Sequence, residues 1–127
     1  MASLFRDTKL CYVKTVSVTR SMTTATEVAK LPRGSRIIGL VLNGTASDAG
    51  SSATLSVGSS SSSNEYVNGA SVLSGGVGNG SQHLNGVAGA LSGILTTDTS
   101  VYVKYAESGT TSSAGAWNLS ILFSQAN

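Results

Sequence analysis

At 127 residues, with 11% charged residues, one proline and one cysteine, the chain is long enough for a single domain with its own core. The lone cysteine excludes an intrachain disulfide and a cysteine-built metal cluster, and the single proline excludes a collagen-like or proline-rich chain. The net charge of +2 conceals an asymmetry: the first 36 residues hold seven Lys and Arg against two acids, a net +5, whereas the remainder holds one lysine against four acids, a net −3.

Residues 1–10, "MASLFRDTKL", hold no apolar run of signal-peptide length and precede the first periodic segment; with Arg6 and Lys9 they read as a basic N-terminal arm. Residues 11–127 read as one domain. Cys11 is expected to be a small buried apolar residue. Tyr12–Arg20 is a strand in which Val13 falls out of phase with Val16 and Val18, which predicts a bulge or a sheet edge. Glu27–Leu31 is a weaker strand. It runs into "LPRGSRIIGLVLN", where Pro32 and Gly34 predict a turn and Arg33 and Arg36 flank the mouth of the next strand. That strand, Arg36–Asn43, is apolar on both faces: Ile38, Leu40 and Leu42 on one, Ile37 and Val41 on the other. Such a strand is central in its sheet or turns its outer face to a partner, here a second copy. It is too short to cross a membrane, which takes about 20 apolar residues.

Ala53–Val57 alternates cleanly. The run "SSSSSN" at Ser59–Asn64 reads as a mobile exposed loop, and Tyr66–Leu73 as a further weak strand. Residues 74–93 contain seven glycines in twenty and read as a long loop with a poorly defined strand, Leu84–Leu95. Ser100–Tyr105 turns Val101, Val103 and Tyr105 one way. Trp117–Ser124 turns Trp117, Leu119, Ile121 and Phe123 one way and Asn118, Ser120 and Ser124 the other. Almost nothing reads as helix. About eight short strands punctuated by turn signals predict an all-β, two-sheet antiparallel sandwich, jelly-roll-like.

The chemistry of enzymes is hard to assemble from these residues. His83 is the only histidine and has no acid near it in sequence, so a serine hydrolase lacks its base and orienting group. The acids are isolated beside turns; Asp48 and Asp98 read as turn formers, and no carboxylate pair suits a glycosidase. Histidine and carboxylates do not cluster as metal ligands do. "GGVGNG" lacks the spacing of a phosphate loop. No enzymatic activity, cofactor or metal is expected. Phe5 and Tyr12 are the only aromatics in the basic third, too few for a stacking nucleic-acid binder, so neither nucleic acid nor membrane is expected as a partner.

What remains is an interaction protein. The order of segments is similar to that of small capsid cement or decoration proteins of tailed bacteriophages: "EVAKLPRGSRIIGLVLNGTA", a loop into "ATLSVGSS", a Gly/Ala-rich middle, "TTDTSVYVKYAESGTTSSAG" and a closing "WNLSILF". The resemblance covers most of the chain and rests on short motifs. It implies an all-β module without catalysis that binds the major capsid protein on the outside of the virion and is assembled in the host cytoplasm. The basic residues of the first third fit attachment to an acidic coat; Arg6, Lys9, Arg33 and Arg36 are the candidate binding residues. Symmetric self-association, trimer before dimer, would multiply weak contacts on a shell. The alternatives are a small neck or tail/fibre component of the same particle, and a carbohydrate-binding sandwich, for which Tyr66, Tyr102 and Tyr105 are the aromatic candidates.

Overall fold

In a computed structural model, which describes residues 11–76, 80–84, 86 and 93–125, the chain forms eight β-strands. They are β1 (Cys11–Thr19), β2 (Thr26–Leu31), β3 (Ser35–Thr45), β4 (Ser52–Gly58), β5 (Val67–Ser71), β6 (Gly80–His83), β7 (Thr99–Ser108) and β8 (Ala116–Gln125). No helix is present among the described residues. One sheet has the order β1-β8-β3-β6 and the other β2-β7-β4-β5, and every pairing is antiparallel. The pairs β1–β8, β2–β7, β3–β6 and β4–β5 nest one within the next. A long hairpin rolled up on itself gives this order, which is the jelly roll.

The alternation of apolar residues explains which face each strand buries. On β8, Trp117, Leu119 and Ile121 are buried; on β7, Val101, Val103 and Tyr105; on β4, Ala53, Leu55 and Val57. Each large side chain among them contributes about 1.5–3 kcal/mol of burial. Trp117 and Tyr105, from opposite sheets, pack with ring centroids 5.7 Å apart. Gly44 lets β3 lie against Trp117, since a Cβ there would meet the Ala116 carbonyl oxygen at 2.1 Å and the Trp117 Cα at 2.7 Å.

Four details depart from the sequence expectation. On β3 the phase shifts. Ile37 pairs with Phe123 and Gly39 with Leu122, so Ile38 is the extra residue of a bulge. Ile37 is therefore buried, and Ile38 is 52% exposed rather than in the core with Leu40 and Leu42, because one inserted residue reverses the alternation. Cys11 is exposed, not buried, because it starts an edge strand and shares the outer face with Val13. The serine run is folded rather than loose. Ser63 is fully buried at φ 55°, and the Glu65 carboxylate accepts hydrogen bonds from the Ser59 amide and the Ser60 hydroxyl. The strand in the glycine-rich segment is Gly80–His83, paired to β3; Leu84 and residues 93–95 lie outside any strand, and much of 85–92 lies outside the described residues.

The edge expected at β1 is present, and its pairing with β8 runs without a bulge from Cys11 to Thr19. Lys14 stands opposite the buried Ile121, on the core-facing side of that edge, yet is exposed. An inward charge on an edge strand discourages a further strand from adding there.

Candidate interaction surface

The two ends of the sandwich differ in chemistry. One end, here the turn end, is where β2 hands over to β3, β1 begins and β8 closes. The Ser35 amide donates to the Pro32 carbonyl at 3.1 Å, and Gly34 has φ 90°, the left-handed conformation that a type II turn requires at its third residue. The segment before β7 straps this turn down. The Gly34 amide donates to the Leu95 carbonyl (2.8 Å), the Leu95 amide to the Ser35 carbonyl (2.7 Å), and the Arg33 amide to Asp98 Oδ1 (2.9 Å). Asp98 thus ties two segments together rather than forming a local turn.

Strand register then fixes what lies on the outer face of the β1-β8-β3-β6 sheet. The rung nearest the turn end is Cys11–Ser124–Arg36. The next on that face is Val13–Leu122–Gly39, with Ile38 bulging beside it. After it come Thr15–Ser120–Val41–His83 and Ser17–Asn118–Asn43–Ser81. With neighbouring strands about 4.8 Å apart, each three-strand rung is roughly 10 Å wide. The face grades from cationic through apolar to polar amide and hydroxyl. Among the described residues it contains no Asp or Glu.

The exposed large hydrophobics gather at the same end: Val13 (60%), Ile38 (52%), Ile94 (56%) and Tyr12 (40%). Tyr12 stacks on Phe123 with centroids 5.6 Å apart, and Ile94 directly precedes the Leu95 strap. Arg33 and Arg36 are both exposed here, as are Lys14 and Lys30, and no ion pair engages any of the four among the described residues. The structure therefore brings two of the sequence-predicted binding residues, Arg33 and Arg36, onto one end. Arg6 and Lys9 lie outside the described residues.

The opposite, or loop, end carries the connection from β7 to β8, and its charges are turned inward. The Arg20 guanidinium donates to the carbonyls of Ser112 (2.7 Å), Ser113 (3.2 Å) and Gly115 (3.2 Å). Asp48 Oδ1 accepts from the amides of Ser113 (2.7 Å) and Ala114 (2.9 Å), and Oδ2 accepts from the Ser113 hydroxyl (2.8 Å). These amide bonds, with the hydroxyl, hold the Asp48 carboxyl down to about 2. Glu107 accepts from the Ser112 hydroxyl and amide and from the Tyr105 hydroxyl, which lies 2.7 Å from the Ser47 hydroxyl. The Ser112 hydroxyl is the main cause of the lowered Glu107 carboxyl. Arg20 and Glu107 also line an open cavity of about 730 Å³, together with Thr19, Thr23 and Thr111.

The outer face of the other sheet is small and polar, and its hydroxyls serve one another. Ser52 and Ser108 hydroxyls are 2.6 Å apart, Ser56 Oγ accepts from the Gly69 amide, and Ser100 Oγ donates to Glu27. Of the tyrosines considered for sugar binding, Tyr66 and Tyr105 are in the core and Tyr102 alone reaches an outer face. His83 is exposed on β6, and no group of three or more His, Cys, Asp or Glu is placed to hold a metal ion among the described residues. Sequence reasoning missed Val13, Leu122, Ile38 and Ile94 as a group. Their proximity depends on strand register, which no local pattern carries.

No protein-family model matches the sequence, and no curated protein does. The fold is shared with solved structures. A chain of the cyanophage Pam1 capsid asymmetric unit superposes with a TM-score of 0.67 at 22% identity, over 94% of this chain and 86% of that one. A chain of the acid-stable capsid of Helicobacter pylori bacteriophage KHP30 does so with a TM-score of 0.60 at 11% identity, over 93% of this chain and 91% of that one. At these identities the likeness is one of fold, and both neighbours come from phage capsid structures.

Proposed function

We propose that this chain is a structural, non-catalytic protein of a bacteriophage virion that binds the outside of the head as a cement or decoration protein. The observation that carries the reading is a complete jelly roll shared, over more than nine-tenths of the chain, with chains from two phage capsids. An eight-stranded roll with its core filled by its own side chains is a rigid block with large outer faces, suited to contact rather than turnover. The partner is the coat protein, met through the cationic turn end carrying Arg33 and Arg36. The chain also assembles with itself, as a trimer before a dimer, so that several weak contacts act together on a symmetric shell. Residues 1–10, with Arg6 and Lys9, add a basic arm; deleting 1–9 is expected to weaken attachment and leave the sandwich folded.

Copy number on purified particles tests the location. A stoichiometry comparable to that of the coat protein supports the head surface; a handful of copies per particle would move the protein to the neck or tail. Sedimentation of the free protein and mass measurement on the particle test self-association, and a strict monomer in both states would contradict it.

A further inference from the structure

We infer that the chain docks through its turn end, with Ile38, Val13 and Leu122 as the apolar centre and Arg36 and Arg33 as the cationic border, onto an apolar protein surface edged by carboxylates. This rests on the virion reading only for the partner's identity; the docking face itself follows from the structure.

Three observations converge. First, the exposed large hydrophobics of the described residues are Tyr12 and Val13 at the start of β1, Ile38 on β3 and Ile94 on the strap, and half-buried Leu122 of β8 shares the outer face with Val13. The opposite sheet shows Ser, Thr, Ala and Gly in the equivalent outward positions of β4 and β7, with Tyr102 and Lys104 as the larger exceptions. Second, the bulge inserts Ile38 as an extra, exposed residue on a central strand while Ile37, Leu40 and Leu42 keep their core positions, and bulges recur where a side chain is re-aimed. Third, no ion pair engages Arg33 or Arg36 among the described residues, the outer face of this sheet holds no Asp or Glu among them, and Asp98 at the turn meets the Arg33 amide. Every described acid is already accepting an internal hydrogen bond: Glu27 from Ser100, Asp48 from Ser113 and Ala114, Glu65 from Ser59 and Ser60, Asp98 from the Arg33 amide, Glu107 from Ser112 and Tyr105. A second copy seated face to face would bring another Arg36 and, among the described residues, no carboxylate from the same face, whereas an acidic surface on a different protein would complement it.

The test uses purified protein added to particles that lack it, with variants at both faces. Ile38→Asp should weaken binding by roughly 30-fold, the loss typical of a central apolar anchor. Arg36→Glu should weaken it by about 10-fold at low ionic strength, with the difference shrinking as salt is added. Lys104→Glu and Ala106→Asp, on the outer face of the other sheet, should bind as wild type. Unchanged thermal melting confirms that each variant folds. In addition, a photo-crosslinker at position 38 on assembled particles should capture a different virion protein, identified by mass spectrometry. Capture of the coat protein supports both the docking face and the head reading. Capture of a neck or tail protein supports the docking face and removes the head reading. Capture of a second copy, failure to capture any chain, or wild-type binding by folded Ile38→Asp overturns the inference.

Discussion

Arginine behaves in opposite ways at the two ends of this molecule. At the loop end, Arg20 lies among the carbonyls of Ser112, Ser113 and Gly115, and Asp48 and Glu107 hold the same loop by its amides and hydroxyls. At the turn end, Arg33 and Arg36 are exposed, and the apolar side chains next to them are uncovered. An arginine surrounded by backbone oxygen is a structural tie; one beside bare isoleucine and valine, with no ion pair to its guanidinium among the described residues, is available to a partner. Substitutions at the loop end should therefore cost stability, and those at the turn end should cost attachment.

The largest expected effect lies under the loop end. Trp117→Ala should destabilise the fold by about 3–5 kcal/mol in denaturant titration, because it empties the core between β8 and Tyr105. Arg20→Ala comes next, at about 2 kcal/mol, since several charge-assisted bonds to the loop are lost together. At the turn end, Arg33→Ala and Arg36→Ala should change folding stability by less than about 0.5 kcal/mol, as for exposed side chains without partners. Equal losses from Arg20→Ala and Arg36→Ala would remove the distinction between the ends.

Acid should act on the same division. Asp48, whose ordinary value is 3.8, is held at about 2, and Glu107 and Glu65 are also lowered. Carboxyls depressed in the folded state stabilise it fully above their unfolded values, and lose that contribution as the pH falls through their folded values. Thermal midpoints should be flat above about pH 5 and decline between about pH 4 and pH 2. Asp48→Asn should reduce that decline, having already lost the charge. A melting temperature that rises on acidification would contradict the assignment of these carboxylates as loop ties.

The sequence makes the repetitive part of the fold readable and the connective part opaque. β8, β7 and β4 alternate strictly because each has one face in the core and one in solvent, so Trp117, Leu55 and Val103 announce their own burial. β3 is readable as a central strand, but Ile37 and Ile38 exchange places because the bulge depends on pairing with Phe123 and Leu122, far along the chain. β6 escapes notice because all four of its residues are exposed and it is held by backbone bonds to β3 rather than by apolar side chains. Asp48 looks like a turn former and is instead a clasp on residues 65 positions away. The interaction surface is half legible: Arg33 and Arg36 stand out as a basic turn, whereas Val13, Leu122 and Ile94 join them only through strand register and the Leu95 strap.

The central claim is that the chain sits on the outside of a phage head with its turn end against the coat. A cryo-electron microscopy map of the particle tests it most directly. The account predicts density for this jelly roll on the outer surface of the shell, Ile38 and Arg36 facing a coat subunit and the loop containing Ser112 pointing to solvent. Density confined to the neck or tail, or a head-bound roll with the Ser112 loop against the coat and Ile38 in solvent, would contradict it.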